Sequence, residues 1–499
     1  MPTVRSRSAL VAIALVAIAL AAGVAGCSDH APSRVIAPRA ALLSQVGPAP
    51  YSYIVVARAN PGLPESLEAE LQAAGGNVVA TIPQIGLAVV ESTREDLGTV
   101  TLTGVESIVP DLPMTAAGSE ASATGFPLGA MPWTDTAPIP PGGDPLSGLQ
   151  WALRAIRAPE AWAEGYTGRG VRVAVLDAGI QSTHPDLAPN LNKALSTSFI
   201  PGQTFDGPPG PHGTQVSGII AAARNGMNTV GVAPNAELVM IKVLPAGGSG
   251  TISRFAQGLV YAADIGARIA NISAGTNLPR ATQVVVDTRG TEDPSDDVRV
   301  KITHDAALTL MHAMARATNY AHAKGVLIIA AAGNIRKDFD HAKSDIGIPQ
   351  ELPHVVTVGP TGPLGWALDH DTDLDVHPSY ANFGQSYIHL AAPGGNFDVF
   401  TRPGLPPGCT LLTFTWPCQV FDLVLTTNVG STVHWNFGGS FAAPHATGVA
   451  ALVIEKLGPS ATPDQVEAIL RRTADDIGKP GNDDFFGHGR VNAWRAVTR

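Results

Sequence analysis

Four residues far apart in the chain have the types that an activated hydroxyl requires: Asp177, His212, Asn334 and Ser440. A serine hydroxyl is a weak nucleophile until an imidazole takes its proton. The imidazole in turn needs a carboxylate to hold its orientation and balance the charge it gains. A side-chain amide can donate to the oxyanion that then forms. Local sequence sets each residue at the end of an element. Asp177 follows the apolar run 171–176, and His212 opens Pro211-His212-Gly213-Thr214-Gln215-Val216-Ser217-Gly218. Asn334 follows Ala330-Ala331-Ala332-Gly333, and Ser440 follows Gly438-Gly439 and heads a helical pattern through Leu457. A helix start offers free N–H groups and the positive end of the dipole. Taken singly, each residue has an ordinary reading: Ser440 as a helix N-cap, Asp177 as a turn or helix cap, His212 as a structural histidine. The ordered set is what points to chemistry.

The elements that must position them alternate from Leu149 onward. Strand patterns fall at 171–176, 236–243, 268–272, 326–332, 355–359 and 388–391. Helical patterns fall at 215–223, 253–265, 301–324, 441–457 and 463–473, the last with Thr462 as N-cap and Pro463 at its first position. This alternation predicts an α/β domain over 148–499: three αβα layers, a mainly parallel sheet, and working residues at the carboxyl ends of its strands. Before it, 51–112 reads as βαββαβ, with strands at 51–57, 77–82, 86–91 and 105–109 and helices at 63–74 and 94–102. That order describes a small ferredoxin-like α+β unit, marginally stable alone. Residues 113–147 are rich in Pro, Gly, Ala and Thr without a period, and read as an exposed, easily cut linker.

Composition agrees with one large core and a smaller domain: 499 residues, 45% hydrophobic. A formal net charge of −10 disfavours nucleic acid as a partner. Arg5 and Arg7 precede an apolar run from Ala9 to Ala25, the charged and apolar regions of an export signal over 1–26. The run is short for a membrane span. It ends Val24-Ala25-Gly26-Cys27, which resembles a bacterial lipoprotein signal with lipid on Cys27; the alternative is a plain secretory signal with an incidental cysteine. Residues 27–50 read as a tether. In an exported chain the two remaining cysteines, Cys409 and Cys418, close together in a Pro-rich loop, are expected to pair.

The motifs at Asp177-Ala178-Gly179-Ile180, His212 to Gly218, Ala331 to Asn334 and Gly439-Ser440-Phe441-Ala442-Ala443-Pro444-His445, in that order, resemble those of the subtilisin-like serine proteases. Gln150-Trp151 and Gly487-His488-Gly489-Arg490-Val491-Asn492-Ala493 add to the likeness. It implies a serine endopeptidase in which Ser440 is the nucleophile, His212 the general base and then acid, and Asp177 the orienting carboxylate. Asn334 and the Ser440 N–H would hold the oxyanion, with no cofactor in catalysis. The order Asp, His, Ser is the family's. Substrate would add as a strand between Gly248-Ser249-Gly250 and Ser273-Ala274-Gly275. Residues 331–333 would complete the pocket for the residue before the scissile bond (P1), and no acidic residue there implies an apolar or broad preference.

The 51–112 unit resembles an inhibitory propeptide, with a cut expected near 111–115 or later in the linker. Asp186 and Asn225, with the loop 223–229, resemble a family calcium site; a plain β-turn is the alternative. The acidic run Asp369, Asp371, Asp373 and Asp375 reads as a solvated loop. Gln215 and Phe441 depart from the family pattern without touching the chemistry. Insertions at 276–303 and 395–429 are expected beside the cleft. The reading is a monomeric, secreted or envelope enzyme acting on peptides or proteins. Its alternative is a catalytically silent binding or cell-surface protein on the same fold.

Overall fold

The computed structural model describes residues 51–116, 144–207, 210–287, 297–398 and 408–499. The expected signal, Cys27, the tether and residues 117–143 lie outside the described residues. Among those described, no helix is long and apolar enough to cross a membrane.

The N-terminal unit comprises β1 (Tyr51–Ala57), α1 (Leu67–Ala73), β2 (Gly76–Ile82), β3 (Leu87–Ser92) and β4 (Val105–Pro110), in an antiparallel sheet of order β2-β3-β1-β4. Because strand side chains alternate, Tyr53 and Val55 pack with Leu67 and Leu71 of α1, while Ile54 and Val56 face the opposite core. The second helix expected over 94–102 is only a 3-10 turn at Leu97–Thr99. Gly98 and the β-branched residues after it are poor helix formers. The chain then enters β5 (Pro113–Ala116).

The large domain opens with α2 (Trp151–Ala155), α3 (Ala158–Ala163), β6 (Arg172–Asp177), β7 (Thr197–Ser198) and α4 (Pro211–Ala221). Next come β8 (Glu237–Lys242), β9 (Ser249–Thr251), α5 (Ile252–Asp264), β10 (Ile269–Ile272) and β11 (Ala274–Pro279). A hairpin of β12 (Gln283–Asp287) and β13 (Val298–Ile302) precedes α6 (His304–Ala323), β14 (Leu327–Ala331), β15 (Asp345–Ile348), β16 (Val355–Thr361) and β17 (Leu390–Pro393). The rest is β18 (Cys409–Leu411), β19 (Phe414–Trp416), β20 (Val424–Asn428), β21 (Thr432–Asn436), α7 (Gly439–Leu457), α8 (Pro463–Thr473) and α9 (Ala493–Thr498). The helix expected from 301 starts at His304. Val298, Val300 and Ile302 alternate with Arg299 and Lys301, a strand's period of two, and Thr303 caps the helix by accepting the Ala306 N–H.

Seven parallel strands form the central sheet in the order β17-β16-β14-β10-β6-β8-β7. Both faces are covered, so apolar residues run almost without break. Along β6, Val173 and Val175 enter the core shared with α4 and α7, while Ala174 and Leu176 enter the core shared with α5 and α6. Ile54, Val56 and Val109 of the N-terminal unit belong to that second core. Arg316 of α6 donates to the Ala57 carbonyl at 2.9 Å and pairs with Glu106 at 3.0 Å.

Helix α7 runs through the first core with no exposed residue from Gly439 to Ile454. At Gly448 an added Cβ would collide with Val232 and come within 2.8 Å of its Cγ1. Gly448→Ala is expected to destabilise by about 1–3 kcal/mol through overpacking, despite alanine's better helix propensity. A lowered urea midpoint would register it.

Candidate active site

After β6 the chain forms β7 and β8 on one side of it and then β10 on the other, so the end of β6 is a switch point where a crevice opens. Asp177 ends β6 and is fully buried. Its Oδ1 accepts the Ala178 N–H at 2.6 Å, and both its oxygens lie 2.9 Å from His212 Nδ1. His212 stands in the first turn of α4, whose start is set by Pro211. Gly213 permits the approach: a Cβ there would collide with the Gly179 carbonyl and sit 3.1 Å from Asp177 Oδ1. Burial pulls the His212 pKa down, but the charge of Asp177 and its hydrogen bond outweigh that and raise it above the ordinary 6.5. Lys242, also buried, donates to the Ala178 carbonyl at 3.0 Å; burial lowers its pKa while Asp177 opposes the shift.

Ser440 lies in the first turn of α7, two residues past Gly438, whose φ of 133° only glycine readily adopts. Its Oγ points to the Ser273 carbonyl at 3.4 Å, and Ser273 Oγ donates to the Ser440 carbonyl at 3.0 Å. His212 Nε2 is buried and makes no hydrogen bond to the described residues. Beyond the end of β14, Asn334 Oδ1 accepts the Gly439 N–H at 2.8 Å, and its Nδ2 is buried with no partner among the described residues. Asn382, which the sequence reading missed, braces that loop. Its Oδ1 accepts the N–H groups of Ile335 and Lys337 at 3.0 and 3.1 Å, and its Nδ2 donates to the Ala332 carbonyl at 2.8 Å.

Strand β5 fills the cleft. Met114 and Thr115 pair with Gly250 and Ser249 of β9, and Thr115 and Ala116 pair with Gly275 and Ala274 of β11. The Ala116 N–H donates to the Gly248 carbonyl at 3.0 Å. Five of the six predicted edge residues thus flank a strand, while Ser273 turns to Ser440. Upstream, Asp111 is buried at the start of α5, accepting the Ser253 N–H at 3.0 Å and its hydroxyl at 2.6 Å; burial pushes its pKa up. The expected linker is therefore not exposed at either end: 113–116 is cleft strand, and Asp144 and Leu146 are buried.

The second half of the 395–429 insertion braces the site from behind. Thr426 and Thr427 of β20 donate to the Gln215 and Thr214 carbonyls at 2.8 and 2.7 Å. Gln215 donates to Asn428 at 3.0 Å and accepts from Asn436 at 3.1 Å, joining the helix of His212 to the strand that leads to Ser440. Cys409 of β18 and Cys418, just past β19, form a disulfide.

Away from the cleft, Asp186 is fully buried and its pKa is pushed up to about 7, first by burial, with the Asp144 charge adding to it. Asp144, 1% exposed, accepts the N–H groups of Asn225 and Gly226 on Oδ1, and its Oδ2 has no partner among the described residues. Asn225 turns its amide to the Pro185 carbonyl at 3.1 Å. Two buried carboxylates beside a carbonyl-bearing loop suit a hard divalent cation. Asp144 escaped the sequence reading because it stood in a Pro- and Gly-rich stretch.

The imidazole shift has a direct check. Asp177→Asn removes the charge that raises it and leaves burial to act, so the His212 pKa is expected to fall. NMR titration of the imidazole C–H signals reads this without reference to activity.

Residues 168–489 match the subtilase family of peptidases. M-protease of Shouchella clausii (strain KSM-K16) is 34% identical over 351 residues, covering 70% of this chain and 70% of its own. Subtilisin Savinase of Lederbergia lenta is 34% identical over 351 residues, covering 70% of this chain and 99% of its own. Among solved structures, the epidermin leader peptide processing serine protease of Staphylococcus aureus matches with a TM-score of 0.67 at 22% identity, covering 90% of this chain and 97% of that one; this bears on the fold, which is the subtilisin-like αβα arrangement expected. With a parallel sheet, a buried Asp–His pair at its switch point and sequence likeness over most of the large domain, this chain belongs to the subtilase family and is a serine-type endopeptidase.

Proposed function

We propose that the chain is the self-inhibited precursor of an exported endopeptidase that works, as a monomer, through Asp177, His212 and Ser440. The single observation that carries this is β5, seated as a third strand between β9 and β11 and leading toward Ser273 and Ser440. A substrate taking the same course brings its scissile carbonyl to Ser440. The hydroxyl swings from the Ser273 carbonyl to His212 Nε2, which takes its proton as Oγ attacks, and Asp177 balances the imidazolium. The oxyanion meets Asn334 Nδ2 and the Ser440 N–H, donors already in place. His212 then protonates the leaving amine, and water releases the acyl group by the same route.

In the precursor the N-terminal unit occupies that cleft and blocks it. Residues 111–116 are held upstream of Ser440, so the maturing cut falls past Ala116, within the linker. Residues 1–26 direct export, and Cys27 carries the lipid, which leaves with the propeptide. Calcium bound by Asp144, Asp186 and the carbonyls of loop 223–229 supplies structural charge balance.

Ser440→Ala in the full-length chain is expected to leave the precursor uncut and abolish casein hydrolysis; unchanged processing would assign the cut to another protease and remove that support. Asn334→Ala is expected to lower kcat by about 10²–10³ with KM little changed. Stripping calcium with EGTA should lower the thermal midpoint and its return restore it. At a hundredfold excess over Kd the gain is about 2.7 kcal/mol, and Asp144→Asn should blunt it.

A further inference from the structure

Strands β10 and β14 lie side by side, Ile272 beside Ala330. Past their ends they diverge: Ser273 leads into β11, and Ala332 leads into the loop that bears Asn334. A chain that follows β5 and extends one residue beyond Ala116 reaches Ser273 and Ser440. Met114 and Ala116 are buried on one face of β5. Alternation turns the next side chain to the other face, where the gap between the diverging segments is the space it has to enter.

Gln350, from the connection between β15 and β16, already occupies that gap. It is 6% exposed, and its Nε2 donates to the Ala331 carbonyl at 2.6 Å and reaches the Ala274 carbonyl at 3.4 Å, one on each wall. A Cβ on Gly275 would lie 2.8 Å from that nitrogen and 3.2 Å from Oε1, so the bare glycine is what admits the amide. The Gln350 backbone is held too, its carbonyl accepting the Thr357 hydroxyl at 3.1 Å. Displacing the side chain would strip a buried amide of its partners.

We propose that Gln350 closes the pocket for the residue before the scissile bond, so that this endopeptidase accepts Ala, Gly or Ser there and rejects Leu, Phe and Tyr. This rests on the reading of Ser440 and β5 given above and narrows the broad apolar preference expected from sequence. A pocket short of room for a few carbons discriminates by roughly 10–200-fold per methylene at most.

The test uses Met-Thr-Ala-Xaa p-nitroanilides, the sequence of 114–116 followed by Ala, Leu or Phe, with the matured enzyme. Wild type is expected to favour Ala over Phe in kcat/KM by at least about 10-fold. Gln350→Gly and Gln350→Ala should each erase most of that ratio, chiefly by lowering KM for Phe, with kcat/KM for the Ala peptide changing less than that for Phe. Gln350→Leu, which keeps the bulk, should retain the preference. Equal use of Ala and Phe by wild type, or a ratio unmoved in both small variants, overturns the proposal. Failure of wild type to cleave any of these peptides or casein overturns the protease reading itself, and this inference with it.

Discussion

A carboxylate sealed at the end of a parallel strand is costly unless donors meet it, and Asp177 is sealed completely. Much of the large domain near it is arranged around supplying them. The Ala178 N–H and the His212 imidazole bond to it directly, and the buried ammonium of Lys242 lies close by, bound to the next carbonyl. Meeting Asp177 requires α4 to start within reach, which fixes Pro211 before the histidine and Gly213 after it. Holding α4 there falls to β20 and Gln215, which also fasten it to the strand entering α7. One electrostatic demand thus ties together segments more than two hundred residues apart in sequence.

The cleft poses a different demand. β9 and β11 are edges whose backbone groups face one another across a gap one strand wide, and an open edge invites a partner. In this chain β5 is that partner. The N-terminal unit, too small to be robust alone, gains its support from the core it shares with α5 and α6, from Arg316, and from Asp111 at the head of α5. The interactions that complete its fold are therefore those that keep the cleft filled. On the proposed mechanism, inhibition and substrate binding draw on the same hydrogen bonds.

Strands of the central sheet were legible because burial on both faces leaves an apolar run, as at Val173 to Leu176. Asp177, His212, Asn334 and Ser440 were legible because each stands beside glycines or small residues at an element's end. The residues that brace the loops of the cleft and of the candidate cation site were not. Asn382, Gln350 and Asp144 act by bonding backbone atoms of distant loops, and nothing in their own neighbourhoods marks such contacts. Gln215 was visible only as a departure from a pattern, since its partners Asn428 and Asn436 come from another part of the chain. The helix expected over 94–102 is one turn because Gly98 and the β-branched Thr99, Val100 and Thr101 after it do not sustain it.

Buried polar groups in folded proteins find partners. Among the described residues His212 Nε2 and Asn334 Nδ2 have none, although each residue's other polar atom is firmly bonded. Asp177 and the Gly439 N–H prevent either side chain from rotating away to satisfy itself. On the proposed mechanism the same bonds therefore hold the two atoms as the acceptor for the Ser440 proton and a donor for the oxyanion. On that mechanism these are the two atoms whose hydrogen bonds the transition state completes.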